Sequence, residues 1–155
     1  MEVRSAGPDD TARVAGAIAS ELRAGDVILL VGEVGTGKTT LARAVAVALG
    51  VTETVTSPTF SVAQRYESGI VPIAHLDAYR LTDPDDEDFE LTLDAIGEDA
   101  VAIIEWPDAL AARLPEARLT ITFEHRGGDR RLLAFQTSDP SLLEPLRQLV
   151  DDPRA

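Results

Sequence analysis

The segment Gly32-Glu33-Val34-Gly35-Thr36-Gly37-Lys38-Thr39 fits the pattern G-x-x-x-x-G-K-[ST] of a phosphate-binding loop. Its glycines let the backbone turn so that several N–H groups point inward toward an anion. Lys38 can reach the β- and γ-phosphates of a nucleotide, and the Thr39 hydroxyl can ligate a Mg²⁺ ion that bridges them. The pattern therefore predicts a nucleotide site at this loop.

The residues on either side of the loop support the same prediction. Val27–Val31 is a continuous apolar run, which is typical of a strand buried on both faces. Leu41–Leu49 is rich in alanine and stops at Gly50, so we expect a helix there. A loop that opens a helix meets the helix N-terminus, which favours negative charge.

Two further apolar runs end in an acidic residue. Val71–Leu76 is followed by Asp77, and Val101–Ile104 is followed by Glu105. Ligands of open α/β sheets bind at the carboxyl ends of the strands. Either acid could therefore hold magnesium or orient water beside the phosphates, and their spacing does not distinguish the two roles.

The remaining patterns predict an α/β fold built as one P-loop NTPase-like domain over residues 1–155, with a mainly parallel sheet and an antiparallel C-terminal hairpin. The hairpin pairs Arg118–His125 with Arg130–Gln136. The other expected elements are a helix at 12–22, a short strand or loop at 54–60, a strand at 61–66, an acidic helix within 83–99, a short helix at 108–114 and a closing helix at 140–150.

The composition narrows the possible functions. The chain has 27 acidic and 14 basic residues, a net charge of −13, and Lys38 is its only lysine. Nine of the acids lie within Asp83–Asp99. This charge argues against direct nucleic-acid binding, and the absence of cysteine excludes disulfides and thiolate metal sites. The longest charge-free run, Thr54–Gln64, is too short to span a membrane, so we expect a soluble cytoplasmic protein.

Several phrases in this order resemble the TsaE (YjeE) family of small bacterial ATPases, which are needed to make threonylcarbamoyladenosine on tRNA. They are the glycine-rich loop continued through Thr40-Leu41, Thr56-Ser57-Pro58-Thr59-Phe60, His75-Leu76-Asp77-Ala78-Tyr79-Arg80-Leu81 and Ile104-Glu105-Trp106. The resemblance covers about residues 9–130. It implies ATP and Mg²⁺ as cofactors and the proteins TsaD and TsaB as partners, which would contact the tRNA.

The resemblance also implies roles for individual residues. Thr39 and Glu105 would ligate Mg²⁺, and Asp77 would lie near the γ-phosphate and be needed for hydrolysis together with Lys38. The other expected nucleotide contacts are Thr40 and Thr59 near the phosphates, with Asp9, Thr11 and Arg130 on the far side of the nucleotide.

Two other functions are compatible with a phosphate-binding loop in a chain of this length. One is a small-molecule kinase, although no arginine-bearing lid is evident in the sequence. The other is an adaptor that senses a nucleotide without needing to hydrolyse it. Among the remaining residues of these phrases, His75 is interpreted as a structural hydrogen bonder and Trp106 as a core or interface residue.

Overall fold

The computed structural model of the chain describes residues 1–56, 63–80, 90, 94, 96–109 and 113–150. Seven strands lie in this part of the chain. They are β1 (Glu2–Ser5), β2 (Val27–Val31), β3 (Ala63–Tyr66), β4 (Ile73–Asp77), β5 (Val101–Glu105), β6 (Leu119–His125) and β7 (Arg131–Gln136). They form one sheet with the order β1-β7-β6-β2-β5-β4-β3.

The first two α-helices begin somewhat earlier than their apolar periodicity predicts, and the closing helix begins later, because Pro140–Leu143 forms a 3₁₀ helix. Helix α1 spans Pro8–Ala19, helix α2 spans Lys38–Ala48 and helix α3 spans Glu144–Val150. Proline is favoured in the first helical turn, and acids there suit the helix dipole, which explains the early start of α1. Helix α2 starts directly after Gly37, so its N-terminus opens onto the glycine-rich loop.

The topology confirms the α/β prediction with a mainly parallel centre. Strands β6, β2, β5 and β4 lie parallel to one another, which places their carboxyl ends at one edge of the sheet. The predicted hairpin is present, since β7 runs antiparallel to β6. Strand β3 pairs antiparallel with β4. Strand β1, which the sequence patterns did not predict, pairs antiparallel with β7.

The helices and the sheet enclose the main hydrophobic core. Helix α1 packs on α2, and both cover the face of the sheet that carries Ile28, Ile103 and Ile121, each at most 1% exposed. A smaller cluster on the other face includes Leu76 and Ile104, which are fully buried. The central strands are thus buried on both faces, and this explains their continuous apolar runs.

Some predicted elements lie partly or wholly outside the described residues. The segment 57–60 lies outside, and so does most of the acidic helix predicted within 83–99. The helix predicted at 108–114 is wrong at its start, because Pro107–Ala109 forms a single 3₁₀ turn. Where the chain is described, no helix has the length and apolar character needed to cross a membrane.

Candidate functional site

The glycine-rich loop connects the end of β2 to the start of α2. Gly32, Gly35 and Gly37 have φ values of +150°, +78° and +102°, a region that favours glycine. A Cβ atom on Gly32 would lie only 2.8 Å from the carbonyl oxygen of Phe123 on β6. The loop thus passes so close to β6 that Gly32 cannot carry a side chain without displacing its neighbour.

The side chain of Lys38 is buried within this loop, although it carries a charge. It is only 4% exposed, and its Nζ donates to the carbonyl oxygens of Gly32 at 2.7 Å and Glu33 at 2.8 Å. Burial lowers the pKa of the Lys38 ammonium, while the carboxylates of Glu105 and Asp77 raise it and offset part of this effect. The ammonium is therefore held among oxygens at the mouth of the loop.

Glu105, at the end of β5, is hydrogen-bonded to one side chain of α2 and to one side chain of β4. Its carboxylate oxygens lie 2.9 and 3.0 Å from the Thr39 hydroxyl, and one of them lies 2.8 Å from Nε2 of His75. Because a carboxylate only accepts, Nε2 must carry the proton and donate it. Glu105 is 3% exposed and His75 is 1% exposed. This Thr39–Glu105–His75 cluster holds a buried carboxylate in one orientation.

The second strand-end acid lies beside the first. Asp77 on β4 and Glu105 on β5 are direct partners in the register of the parallel pair. Asp77 is half-buried and accepts a hydrogen bond from the backbone N–H of Tyr79 at 3.1 Å. The two acids predicted from the ends of two apolar runs therefore meet at one point of the sheet edge.

Trp106 covers the ammonium of Lys38. Its ring centroid lies 3.9 Å from Nζ, within the range of a cation–π contact, and 5.0 Å from the ring centroid of Tyr79. The backbone of Trp106 has a φ of +58°, which is an outlier for a bulky side chain. A strained backbone next to an acidic cluster points to a functional constraint at this position.

The far side of the loop borders a cavity of about 80 Å³ between α1 and the β6–β7 hairpin. Thr11, Thr40 and Arg131 line it. The Thr11 hydroxyl lies 3.0 Å from Ser5 Oγ and donates to the carbonyl of Gly7 at 3.2 Å, which joins β1 to α1. Of the residues expected on the far side of the nucleotide, Thr11 lines this cavity.

The expected site residues do not all lie at these two places. Lys38, Thr39, Asp77 and Glu105 come together around the loop. Asp9 and Arg130 are exposed and do not line the cavity, and Thr59 lies outside the described residues.

Two residues take part that the sequence reasoning did not assign to the site. His75 was expected only as a structural hydrogen bonder, and it is the direct partner of Glu105. Arg131, rather than Arg130, contacts the loop. It donates to the carbonyl of Thr36 at 3.1 Å and to that of Gly35 at 3.4 Å. The signal for His75 was its spacing of two from Asp77, which places both on one face of β4. No sequence signal distinguished Arg131 from Arg130.

Comparison with known proteins places this geometry in a family. The family model "Threonylcarbamoyl adenosine biosynthesis protein TsaE" matches residues 5–133. The chain is 36% identical over 136 residues to the tRNA threonylcarbamoyladenosine biosynthesis protein TsaE of Bacillus subtilis, covering 87% of this chain and 84% of that protein. It is 43% identical over 114 residues to the protein of the same name from Streptomyces coelicolor, covering 72% and 77%.

A solved structure has the same architecture. The crystal structure of Bacillus subtilis YdiB aligns with a TM-score of 0.76 and 29% sequence identity. The alignment covers 97% of this chain and 93% of that chain. The similarity therefore extends over both the glycine-rich loop and the edge strands, not over the loop alone.

Proposed function

The chain belongs to the TsaE family of threonylcarbamoyl adenosine biosynthesis proteins, and on this premise we propose that it is a Mg²⁺-dependent ATPase subunit of the machinery that makes threonylcarbamoyladenosine on tRNA. ATP would bind with its phosphates in the glycine-rich loop and its base and ribose toward the cavity beside α1. Hydrolysis would be slow in the isolated chain and coupled to partner proteins.

One observation carries the proposal. The Thr39 hydroxyl, the Glu105 carboxylate and the Lys38 ammonium converge where α2 begins, and Asp77 lies beside them. A compact ammonium, a hydroxyl and two carboxylates at a helix N-terminus match the needs of a bound nucleoside triphosphate with its metal. A glycine-rich turn without a ligand does not explain a buried lysine close to the buried Glu105 and the half-buried Asp77.

The oxygens of this cluster suit Mg²⁺. Thr39 offers hydroxyl lone pairs and Glu105 a carboxylate, both of which are hard oxygen ligands. Within the described part of the chain, no three His, Asp or Glu side chains group closely enough to hold a metal alone. This agrees with an ion held by one or two protein ligands, water and phosphate oxygens. Bound there, Mg²⁺ would neutralise charge on the phosphates.

Each residue of the site would then have its own role in binding or hydrolysis. The loop N–H groups and Lys38 would bind the β- and γ-phosphates, and Trp106 would keep the ammonium in place from the other side. Asp77 would orient the attacking water, since it is less buried than Glu105 and is not bonded to Thr39. His75 would keep the Glu105 carboxylate aimed at Thr39.

The wider setting follows from the family. We expect the chain to act in the cytoplasm with TsaD and TsaB. The threonylcarbamoyl transfer would be the chemistry of TsaD rather than of this chain. Hydrolysis of ATP would determine which conformation of the loop the partner proteins bind.

An ATP hydrolysis assay on single variants tests the proposal. Lys38→Ala should abolish nucleotide binding, because no other described side chain offers an ammonium to the loop. Asp77→Asn and Glu105→Gln should still bind ATP but turn it over at least about a hundredfold more slowly. Glu116→Gln, which removes an exposed acid elsewhere, is the matched control and should behave like the wild type.

The outcome that rejects this assignment is equally clear. Turnover at the wild-type rate in all three site variants would mean that ATP is hydrolysed elsewhere or by a contaminant. Robust ADP release that depends on a metabolite acceptor would favour a kinase instead. Support of tRNA modification by a variant that binds ATP without hydrolysing it would favour an adaptor.

A further inference from the structure

A groove at the β1–β7 end of the sheet gathers positive charge in an acidic protein. Arg4 on β1 and Arg126, Arg130 and Arg131 on the hairpin line a cavity of about 500 Å³. Among the described residues that line it, Glu2 is the one carboxylate. The whole chain carries a net charge of −13, so four arginines beside one acid are a local reversal of sign.

The arginines of this groove differ from most others in the described residues. Arg118 lies 2.6 Å from Asp26, and Arg65 lies 2.6 Å from Asp99. In contrast, Arg4 and Arg130 form no ion pair with any described carboxylate, and Arg131 donates to backbone carbonyls. Arg126 pairs with Glu124, which is exposed. At Arg4 and Arg130 the groove therefore keeps positive charge that no ion pair within the described chain neutralises.

We propose that this arginine groove is the docking site for a carboxylate-bearing segment of a partner protein. Guanidinium groups present planar forks of N–H donors that match carboxylates in a bidentate manner. Exposed charges of this kind steer a partner of opposite sign and set its register. The cavity has room for a few acidic side chains presented from another chain.

The charge distribution favours a protein over an RNA strand. An RNA backbone needs a basic track of several phosphate contacts. Outside the groove, many of the described arginines are already ion-paired, namely Arg13, Arg65, Arg113, Arg118 and Arg147. Among the residues that the structure describes, no aromatic side chain lines the groove to stack a base. A long polyanion would leave the groove and meet acidic surface, whereas a compact set of carboxylates would not.

Arg131 links the groove to the glycine-rich loop. It lines both the groove and the small cavity beside the loop, and its guanidinium donates to the carbonyls of Thr36 and Gly35. A carboxylate that bound Arg131 would compete with these contacts. Docking would therefore change the contacts of the glycine-rich loop. This inference rests on the proposed function, in which this loop holds ATP.

The test compares two double variants that remove the same charge. Arg4→Ala/Arg126→Ala empties part of the groove, and Arg23→Ala/Arg43→Ala removes two exposed arginines outside it. The binding probe is a purified complex of TsaD and TsaB from the same organism, titrated in the presence of ATP. The groove variant should bind this complex about tenfold more weakly, and the control should stay within about twofold. The affinity for ATP, measured in parallel, should be unchanged in both.

Each other outcome overturns the inference in a recognisable way. Equal binding by both double variants would show that the groove is not the docking site, while the proposed partnership stands. A wild-type chain that binds ATP but never binds the complex would overturn the partnership and the groove together. If a single-stranded oligouridylate binds the wild type and only the groove variant loses it, with protein binding intact, then RNA is the occupant and the proposal is wrong.

Discussion

The acids at the centre of the sheet and the arginines at its edge are held in opposite ways. Glu105 is 3% exposed, and both of its carboxylate oxygens have a hydrogen-bond partner. Arg4 and Arg130 are exposed and have no ion-pair partner among the described residues. A buried charge must be bonded or its burial destabilises the fold. An exposed charge can remain unpaired at little cost, since water solvates it.

This difference has consequences for what each region does. The central cluster is fixed by its own bonds, so its geometry is ready for a reaction and tolerates few changes. The edge groove is not fixed and acts over a longer range through its charge. Substitutions at the centre should therefore alter stability and chemistry. Substitutions of the edge arginines that do not contact the loop should alter association alone.

The largest effect is expected when a methyl group is added to the glycine-rich loop at the centre of the sheet. Gly32→Ala would place a Cβ 2.8 Å from the Phe123 carbonyl in a backbone region that suits glycine. We expect a loss of about 3 kcal/mol in the free energy of unfolding. For a domain of this size the melting temperature should fall by about 10 °C, and calorimetric unfolding measures it.

Gly16→Ala is the matched control for that change. Gly16 lies on the exposed side of α1, and an added Cβ there would have no neighbouring atom within 4 Å. Alanine is the better helix former there, so stability should rise by about 0.5–1 kcal/mol. An unchanged melting temperature in the Gly32 variant would mean that the loop and β6 are not packed as described.

A pair of substitutions at His75 tests the single hydrogen bond between His75 and Glu105. The terminal amide of His75→Gln can reach Glu105 much as Nε2 does, whereas that of His75→Asn is too short. We expect His75→Asn to need more Mg²⁺ for half-maximal turnover, by about tenfold or more. His75→Gln should retain most of the wild-type Mg²⁺ dependence.

Titration of ATPase activity with Mg²⁺ distinguishes positioning from mere packing, because a packing defect would shift both variants alike. Equal Mg²⁺ dependence in the two variants and the wild type would remove His75 from the site.

Arg118 forms ion pairs within the fold and Arg4 forms none within the described part of the chain, so the two arginines can be compared by substitution. It lies 2.6 Å from Asp26 and 2.7 Å from Asp139, with 18% of its side chain exposed. We expect Arg118→Ala to destabilise the fold by about 2 kcal/mol, while Arg4→Ala changes stability by less than about 0.5 kcal/mol. Urea unfolding of both variants measures the contrast. Similar destabilisation by both would contradict the view that the groove arginines serve association rather than folding.

The smallest expected effect depends on pH. Hydrogen bonds from Ser141, followed by those from Arg118, lower the pKa of Asp139 from 3.8 to about 2. Because the folded-state pKa is depressed, the stabilisation is complete above the unfolded pKa and is lost as the pH falls through the folded value. The difference in melting temperature between the wild type and Asp139→Asn should therefore shrink between about pH 4 and about pH 2. A constant difference would mean that Asp139 does not act through its charge.

Much of the fold could be predicted because its centre follows local rules. The apolar runs that became β2, β4 and β5 have no polar interruption before their ends, apart from His75 in β4, and parallel strands carry residues at those ends to one edge. For this reason Asp77 and Glu105 could be expected near the loop before their register was known.

The parts that escaped prediction depend on distant partners. Strand β1 has only four residues, and its register is set by β7, which lies far away along the chain. Arg131 and Arg130 are neighbours of the same type, and the start of β7 at Arg131 places that residue, rather than Arg130 in the preceding turn, against the loop. The groove was missed because a net charge of −13 describes the whole chain and says nothing of how the fold separates its charges.

A calorimetric titration of ATP with Mg²⁺ into the wild type and into Lys38→Ala measures directly whether the glycine-rich loop binds the nucleotide. We expect one ATP per wild-type chain and an affinity at least about a hundredfold lower in the variant, since a buried ammonium bonded to the loop is lost. Equal affinity in the two proteins would contradict this expectation.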